Sequence, residues 1–261
     1  MSETIHRFDD RVQDYLQGRP GYPAGIIPVL EAQVGLQPGW TVVDLGVGTG
    51  LLSRVFLDAG CRVVGVEPSP QMAEAGRVAL ADAPGFRMVE GQAEATGLDD
   101  EVAELVVAAQ AFHWFDPDAA AREWQRILRP PRALAIIWNR RPKTGSAFAE
   151  AYEAFLQAWG IDYGQVSERY EDPAALARVF EGGAPAPVLV PHVHRQDRSG
   201  LQARLRSSSY MPGREHPRHA AMMAAADSMF DAHAVGGWIE TPYDTAIYAG
   251  RLRGEAPERG V

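Results

Sequence analysis

Short apolar runs recur along the middle of the chain and alternate with segments whose apolar residues have helical spacing. The apolar runs predict five strands, at residues 40–45, 63–67, 86–90, 103–109 and 133–138. Helices are predicted between them, at 51–59, 72–80 and 117–128. The repeated strand–helix order predicts a doubly wound α/β fold with a parallel sheet, whose nearly all-apolar fourth strand is buried on both faces.

The two ends of the chain have a different pattern. A breaker-rich turn at 19–23 precedes a predicted helix at 26–34. After residue 139, the pattern predicts a helix over 148–159, a strand near 188–193, helices near 201–205 and 220–233, and a last strand over 238–248. Pro242 either breaks that last strand or places it at a sheet edge. Residues 92–100 are predicted to be a loop with at most a short helical turn.

Composition narrows the class of protein. The 261 residues are 46% hydrophobic and 23% charged, with a formal net charge of −9, as in ordinary globular chains. Because no run of Lys or Arg stands out, a nucleic-acid partner is not expected. Cys61 is the single cysteine, so there is no internal disulfide or cysteine-rich metal site, and we expect it to be a small buried residue. His192 and His194 would share one face of a strand, but the scattered histidines form no convincing metal site.

The N-terminal residues bear on where in the cell the protein is located. Residues 1–10 are polar and carry no apolar segment of the signal-peptide type. No stretch approaches about 18 consecutive apolar residues, so no membrane span is predicted. We therefore expect a cytoplasmic protein without a membrane partner.

The run Asp44-Leu45-Gly46-Val47-Gly48-Thr49-Gly50 joins the first predicted strand to the next helix. Alternate glycines permit a tight turn and close approach of a ligand, and the helix start offers free N–H groups. The spacing differs from the G-x-G-x-x-G of dinucleotide folds. A carboxylate two residues before the first glycine repels a pyrophosphate and suits a ligand with a cationic amine. About twenty residues on, a second apolar strand ends in Glu67, at the distance from which an acid binds ribose hydroxyls.

Together these residues resemble the class I S-adenosylmethionine-dependent methyltransferases. The resemblance implies that Asp44, Gly46, Gly48 and Gly50 contact the methionine part of the cofactor S-adenosyl-L-methionine and that Glu67 holds its ribose. It also implies a Rossmann-like, doubly wound seven-stranded sheet, mostly parallel with an antiparallel edge strand, plus a helical lid insertion. The alternative is a glycine-rich strand–helix turn in an unrelated α/β protein.

The resemblance also implies a division of the chain. We expect an N-terminal arm and helix over 1–38 and a cofactor-binding core over 39–140. The lid insertion and closing strands follow over 141–250, and a tail follows over 251–261.

Further cofactor contacts are expected where other strands end, because ligands of open α/β sheets bind outside the carboxyl ends of the strands. Gln92, Ala93 and Glu94 resemble the family segment that lines the adenine; the alternative is a solvated polar turn. Met72 is placed to pack on the adenine, although a Met at helical spacing is more often core. The strand-end positions Pro68, Ala109 and Gln110 complete this expected set.

The run His113-Trp114-Phe115 follows the fourth predicted strand. It lacks the Asn/Asp-Pro-Pro-aromatic motif of methyltransferases acting on DNA bases or glutamine, which argues against those substrates. It resembles the corresponding segment in a bacterial group of the family whose members act on small molecules. Phe8, Tyr15 and the 19–23 turn also resemble that group. Trp114 and Phe115 either wall the pocket and favour the cationic sulfur or belong to the core.

In this resemblance Arg19 and Tyr22 close over the cofactor, with Arg19 meeting its carboxylate. We therefore expect methyl transfer to a small molecule, with a carboxylate or hydroxyl oxygen as acceptor; the chain is similar in part to trans-aconitate and related carboxyl methyltransferases. His113 is the expected base for a hydroxyl, and its alternative is a structural or cofactor-contacting histidine.

Several points stay open in the sequence. Arg140 and Arg141 either recognise an acidic substrate or are solvated, and residues 207–210 either offer hydroxyls to a substrate or end a helix. The alternative function is an S-adenosylmethionine-binding protein of the same fold without methyl transfer. The glycine spacing and Asp44 disfavour a nucleotide-dependent oxidoreductase. Neither the acceptor nor the oligomeric state follows from the sequence.

Overall fold

One mixed sheet organises the computed structural model, which describes residues 12–168 and 171–254. Its strands are β1 (Thr41–Leu45), β2 (Arg62–Glu67), β3 (Phe86–Glu90), β4 (Ala103–Ala109), β5 (Leu128–Arg140), β6 (Val188–Gln196) and β7 (Ile239–Arg251). The seven strands lie in the order β3-β2-β1-β4-β5-β7-β6. The first five are parallel, and β7 runs antiparallel between β5 and the edge strand β6. The predicted doubly wound seven-stranded sheet, mostly parallel with an antiparallel strand near its edge, is therefore confirmed.

Helices cover both faces of this sheet. They are α1 (Val12–Gly18), α2 (Ile26–Val34), α3 (Leu51–Asp58), α4 (Pro70–Ala79), α5 (Pro117–Ile127), α6 (Ala147–Trp159), α7 (Tyr163–Glu168), α8 (Pro173–Val179), α9 (Arg198–Arg206) and α10 (His219–His233). Alternate residues of β4 enter different cores, because Leu105 and Val107 pack with α2 and α3 while Val106 and Ala108 pack with α5 and α8. β4 is thus buried on both faces, as its apolar run predicts. A third core joins α6, α9 and α10.

Element boundaries differ from the prediction mainly at the last strands. β5 begins at Leu128, directly after α5, and extends to Arg140, well beyond the apolar run that predicted it. Pro242 does not break β7; it lies beyond the last β5–β7 pair, Arg140 with Asp244, where only β6 pairs with β7. Residues 92–100 form no helix, only an isolated bridge from Gln92 to Ala95.

Some sequence predictions lie outside what the structure describes or tests. Phe8 and most of the expected tail fall outside the described residues. The helices after β5 lie partly before β6 and partly between β6 and β7. The division at 38, 140 and 250 stays a prediction. Within the described ranges, none of the helices has the length and apolar character needed to span a membrane.

Candidate functional site

The turn after β1 requires its glycines. Gly46, Gly48 and Gly50 have φ angles of 64°, 56° and 82°, which L side chains rarely adopt. A Cβ at Gly46 would lie 2.7 Å from the Cβ of Ala111, and one at Gly50 would lie 2.4 Å from Leu80 Cδ1. The turn therefore packs against the segment after β4, and Gly50 forms the N-cap of α3.

Asp44 lies at the end of β1 and is only 2% exposed. Its Oδ2 accepts a hydrogen bond from Ser53 Oγ, in the first turn of α3, at 2.7 Å. Burial raises the pKa of the Asp44 carboxyl from 3.8 to about 7, the Ser53 hydrogen bond opposes that rise, and the charge of Glu67 adds to it. Asp44 is therefore a buried acid that titrates near neutrality.

Glu67 fastens the end of β2 to the glycine turn. Its two carboxylate oxygens accept backbone N–H bonds from Gly48 at 2.9 Å and from Ser69 at 3.1 Å. Pro68 follows, and Ser69 then caps α4 by accepting the N–H of Met72. Met72 is buried, and its Cε would lie 3.3 Å from a Cβ at Gly48. The structure thus brings both acids, the turn and Met72 together at the carboxyl edge of the sheet.

The loop after β3 is held by α5. Ala93 is buried and its carbonyl accepts the Trp124 indole N–H at 3.0 Å. Glu94 Oε1 accepts the backbone N–H of Asp116, just before α5, at 2.8 Å. Gln92 is half-buried. The structure orders this loop beside the sheet edge, and contact with adenine stays a prediction.

β4 ends in an unusual backbone conformation. Gln110, directly after Ala109, has φ 55°, a strained value for a residue with a side chain. Its backbone N–H donates to Ile137 O at 3.0 Å, and its side-chain Nε2 donates to Asn139 O at 3.1 Å. These bonds tie the end of β4 to the end of β5.

A short 3₁₀ turn, Phe112–Trp114, follows β4. The buried Phe112 packs against Trp124 and Trp138, and Phe115 packs edge-on against Trp124 with 6.3 Å between ring centroids. Phe115 therefore adjoins the core. The ring of His113 is half-buried, 4.6 Å from that of Trp114. Its catalytic role stays a prediction.

The N-terminal turn contacts the helical region. The Arg19 guanidinium donates to Ser207 Oγ at 3.0 Å and to Ser207 O at 2.7 Å, and it lies 4.8 Å from the Tyr15 ring centroid. Burial, then the neighbouring Tyr15 and Asp44, raise the pKa of Tyr22. Tyr22 is thus close to the first-strand acid, while Arg19 reaches the segment after α9.

Arg140 and Arg141 are each paired with a carboxylate of the chain. Arg140 donates to the carboxylate of Glu171, with a 2.8 Å bond from Nε, and to the Tyr248 hydroxyl at 2.8 Å. Arg141 Nη2 donates to Glu153 Oε2 at 2.5 Å. Both positive charges are therefore compensated within the chain.

The serine cluster mainly ends α9. The hydroxyls of Ser207 and Ser208 donate to Arg204 O at 2.9 and 3.0 Å. This agrees with the helix-ending alternative for residues 207–210.

Beyond the end of β5, the antiparallel pair of β6 and β7 carries polar residues on its inner face. His192 and His194 share that face, as predicted, and Val193 between them is exposed. His192 Nδ1 lies 3.3 Å from Thr245 Oγ1, which donates to Asn139 Oδ1 at 2.7 Å. A cleft of about 470 Å³ beside β6 and β7 is lined by Arg140, Arg141, Pro142, His192 and Tyr243, among others.

Sequence reasoning missed several side chains in this region, namely Ser53, Asn139, Tyr152, Arg204 and Tyr243. One signal was available for Arg204, because it shares a helical face with the apolar Leu201 and Leu205. The other residues meet only through tertiary contacts. Among the described residues, no group of three or more His, Cys, Asp or Glu side chains is arranged to hold a metal ion.

Comparison with known proteins places this site in a family. Residues 43–136 match the family model described as a methyltransferase domain (methyltransferase 11). The chain is 40% identical over 134 residues to an uncharacterised methyltransferase of Mycobacterium tuberculosis, covering 51% of this chain and 52% of that protein. It is 33% identical over 144 residues to the malonyl-[acyl-carrier protein] O-methyltransferase of Enterobacter lignolyticus, covering 54% and 53%. The matches thus span about half the length of these curated relatives.

Solved structures share the fold at low sequence identity. A proposed type II methyltransferase from Anaeromyxobacter dehalogenans superposes with a TM-score of 0.61 at 20% identity, covering 89% of this chain and 97% of that one. The [4+2]-cyclase SpnF superposes with a TM-score of 0.50 at 14% identity, covering 96% of both chains. These two likenesses concern the fold alone.

The matched segment runs from the end of β1 to β5 and so contains the glycine turn, both acids and the loops after β3 and β4. Residues 43–136 are therefore a methyltransferase domain of the class I S-adenosylmethionine-dependent family, within the seven-stranded sheet of that class.

Proposed function

We propose that the chain binds S-adenosylmethionine at the glycine turn and transfers its methyl group to a carboxylate or hydroxyl oxygen of a small molecule. The observation that carries the proposal is the pair of buried acids beside that turn: Asp44 and Glu67 are 2% and 8% exposed. Two carboxylates so close together in a buried place favour a ligand with a cationic group.

The residues of the turn fit such a ligand. Gly48 has no Cβ where a side chain would crowd Met72. The Thr49 hydroxyl is buried and has no hydrogen-bond partner in the described ranges, so it is available to a bound group. In this proposal Asp44 meets the cationic amine of the methionine part, Glu67 the ribose, and Gln92, Ala93 and Glu94 the adenine. Pro68, Met72, Ala109, Gln110, Arg19 and Tyr22 complete the proposed set.

When bound, S-adenosylmethionine supplies a methyl group already activated by a sulfonium. The acceptor oxygen forms a bond to the methyl carbon while the carbon–sulfur bond breaks and its electron pair stays on sulfur. The task of the protein is therefore to align the acceptor and exclude water, which can supply about 7–11 kcal/mol of the barrier. A carboxylate acceptor loses no proton. For a hydroxyl acceptor, we assign His113 to take the proton.

The name of one relative supports oxygen as the acceptor atom. The Enterobacter lignolyticus protein, 33% identical over 144 residues, is an O-methyltransferase. A second candidate function is S-adenosylmethionine binding without methyl transfer. It is supported by the [4+2]-cyclase among the fold neighbours, since one fold supports different reactions.

Calorimetry with S-adenosylmethionine tests the cofactor, and release of S-adenosylhomocysteine with candidate acceptors tests transfer. We expect both binding and release. Binding without release from any acceptor would favour the second candidate, and the absence of binding at millimolar cofactor would contradict both.

Replacing Glu67 by Ala should weaken S-adenosylmethionine binding about tenfold or more, because ribose hydroxyls would lose a charged hydrogen-bond acceptor. Glu90→Ala is the matched control: Glu90 pairs with Glu67 in register on β3, but its side chain is exposed and bonds to Arg77. Dissociation constants from calorimetry should separate the two variants. Equal affinities would show that Glu67 does not hold the ribose.

A further inference from the structure

Two arginines that are at least partly buried, Arg19 and Arg204, have no acidic partner in the described part of the chain. Arg19 still donates two hydrogen bonds to Ser207. Arg204 makes a side-chain hydrogen bond with Tyr243, but its Nε and Nη1 are shielded from solvent and have no hydrogen-bond partner among the described residues. A positive charge held in this way is costly, since neither water nor an anion compensates it.

Three phenol side chains surround Arg204. Tyr152, Tyr210 and Tyr243 are all buried and act on the charge of Arg204. Burial, together with the charge of Arg204, lowers the pKa of His194 to about 4. We call Arg204, these three tyrosines and His194 the Arg204 cluster. Its composition is one cation with several hydroxyl donors.

Further atoms of the Arg204 cluster are also shielded. The Tyr152 hydroxyl and His194 Nε2 have no hydrogen-bond partner in the described ranges. An anion with two or more acceptor oxygens is the complement of a guanidinium flanked by hydroxyls. Planar carboxylates fit the guanidinium fork better than a single oxygen does.

Tyr243 places the Arg204 cluster beyond the edge of the sheet at which the cofactor turn lies. Tyr243 is on β7 beyond the last β5–β7 pair, past the carboxyl edge of the sheet. Tyr22 connects the two regions, because both Asp44 and Arg204 act on its pKa. Tyr243 also lines the 470 Å³ cleft, whose size suits a small molecule. Arg140 and Arg141 at this rim are already paired with Glu171 and Glu153, whereas Arg204 forms no ion pair with a carboxylate in the described ranges.

We propose that Arg204, with the hydroxyls of Tyr152, Tyr210 and Tyr243, binds a carboxylate group of the methyl acceptor, so that the substrate class is small organic acids. This rests on the methyl transfer proposed above and names its substrate class. The oxygens bound by Arg204 have their lone pairs engaged, so the attacking oxygen is a second carboxylate or hydroxyl of the same molecule. The carboxylate bound to Arg204 stays unmethylated in the product.

A panel of matched pairs tests the proposal with the full chain saturated with S-adenosylhomocysteine. One member of each pair is a dicarboxylate of four to six carbons or a hydroxybenzoate. The other member is the same molecule with its carboxylates replaced by amides. We expect at least one acid, but not its amide, to raise the unfolding temperature and to be methylated when S-adenosylmethionine is supplied. Arg204→Met should weaken binding of that acid about tenfold or more. Arg195→Met is the control, because Arg195 is exposed over Trp238 and outside the cluster.

Each contrary outcome has a distinct meaning. Amides that stabilise as well as acids, or an Arg204→Met protein that responds like the wild type, would overturn the carboxylate site. The same holds if S-adenosylhomocysteine stabilises the protein and no acid does. If S-adenosylhomocysteine itself fails to bind, the proposed function fails instead.

Two further measurements separate a ligand site from other roles of Arg204. We expect Arg204→Met to leave the affinity for S-adenosylmethionine unchanged; a tenfold loss would assign the bound carboxylate to the methionine part of the cofactor and overturn the acceptor site. The ligand-free variant should unfold at the same or a higher temperature, because an uncompensated charge is removed. If Arg204→Met unfolds at a lower temperature and Arg204→Lys unfolds at the wild-type temperature, Arg204 has a structural role. If Arg204→Met does not fold, Arg204→Gln takes its place in every comparison.

Discussion

At the scale of single residues, Asp44 combines a structural cost with a proposed binding role. The carboxyl is almost fully buried, and its hydrogen bond from Ser53 only partly offsets the loss of water. With Glu67 nearby, its ionised form is disfavoured until a cation arrives. The raised pKa therefore follows from the same burial that prepares the site for an amine.

We expect the affinity for S-adenosylmethionine to depend on pH through Asp44, whose pKa is raised to about 7. The ionised carboxylate pairs with the amine, so binding should weaken as pH falls through this pKa. Calorimetry should show about tenfold weaker binding at pH 6 than at pH 8. Asp44→Asn should bind weakly at both pH values with little difference between them. A wild-type affinity that is equal at pH 6 and pH 8 would contradict this role of Asp44.

The folded protein should also carry a stability cost from Asp44. Its folded pKa lies above the unfolded one, so the free energy of unfolding falls as pH rises from about 4 to about 7. The cost is fully present above pH 7. Asp44→Asn should therefore raise the unfolding temperature of the ligand-free protein more at pH 8 than at pH 5. An Asp44→Asn protein that is less stable than the wild type at pH 8 would count against this assignment.

At the scale of elements, the contact of α1 with α9 joins the N-terminal turn to the helical region. Gly18 ends α1, and a Cβ there would lie 2.1 Å from the backbone nitrogen of Arg204. The two helix backbones meet here because no side chain stands between them. The positions of Arg19 and Arg204 both depend on this approach.

Gly18→Ala should lower the free energy of unfolding by about 1–3 kcal/mol, because the backbone it meets cannot rotate away as a side chain can. Gly21→Ala is the control, since Gly21 is exposed with no atom within 4 Å of its added Cβ. Urea unfolding measures both. A Gly18 variant as stable as the Gly21 variant would mean that α1 shifts freely on α9.

At the scale of the whole molecule, Asn139 joins three parts of the chain that are distant in sequence. Its Nδ2 donates to Gly21 O in the N-terminal turn at 3.1 Å, and its Oδ1 accepts the Thr245 hydroxyl of β7. Its backbone oxygen accepts the Gln110 side chain from the end of β4. The side chain and backbone of Asn139 thus connect the N-terminal turn, the end of β4 and β7.

Asn139→Ala should lower the free energy of unfolding by about 1–3 kcal/mol, since the buried Thr245 hydroxyl loses its acceptor and the Gly21 carbonyl loses a donor. It should also speed amide hydrogen exchange in the N-terminal turn. Gln125→Ala is the control, because the Gln125 side chain makes one exposed hydrogen bond, to Arg253 O. Unchanged exchange around Gly21 would show that the amide does not secure the turn.

The sequence predicts best where the physical cause is local. The turn at Gly46, Gly48 and Gly50 follows from backbone sterics, and the strand–helix order follows from apolar spacing over a few residues. β5 extended beyond its apolar run because its ends, at Leu128 and Arg140, are defined by pairing with β4 and β7. Pairing with β7 joins residues over a hundred positions apart and leaves little trace in local composition.

The sequence by itself determined the fold class, the glycine turn and the two acids, because spacing, glycine geometry and strand-end placement are properties of short segments. Only the tertiary structure decided which arginines are compensated. Arg140 and Arg141 lie at the predicted rim but bind Glu171 and Glu153, whereas Arg204, on a helix distant in sequence, lies among three tyrosines. Charge compensation depends on which side chains meet in space, and that is set only when the whole sheet and its helices have packed.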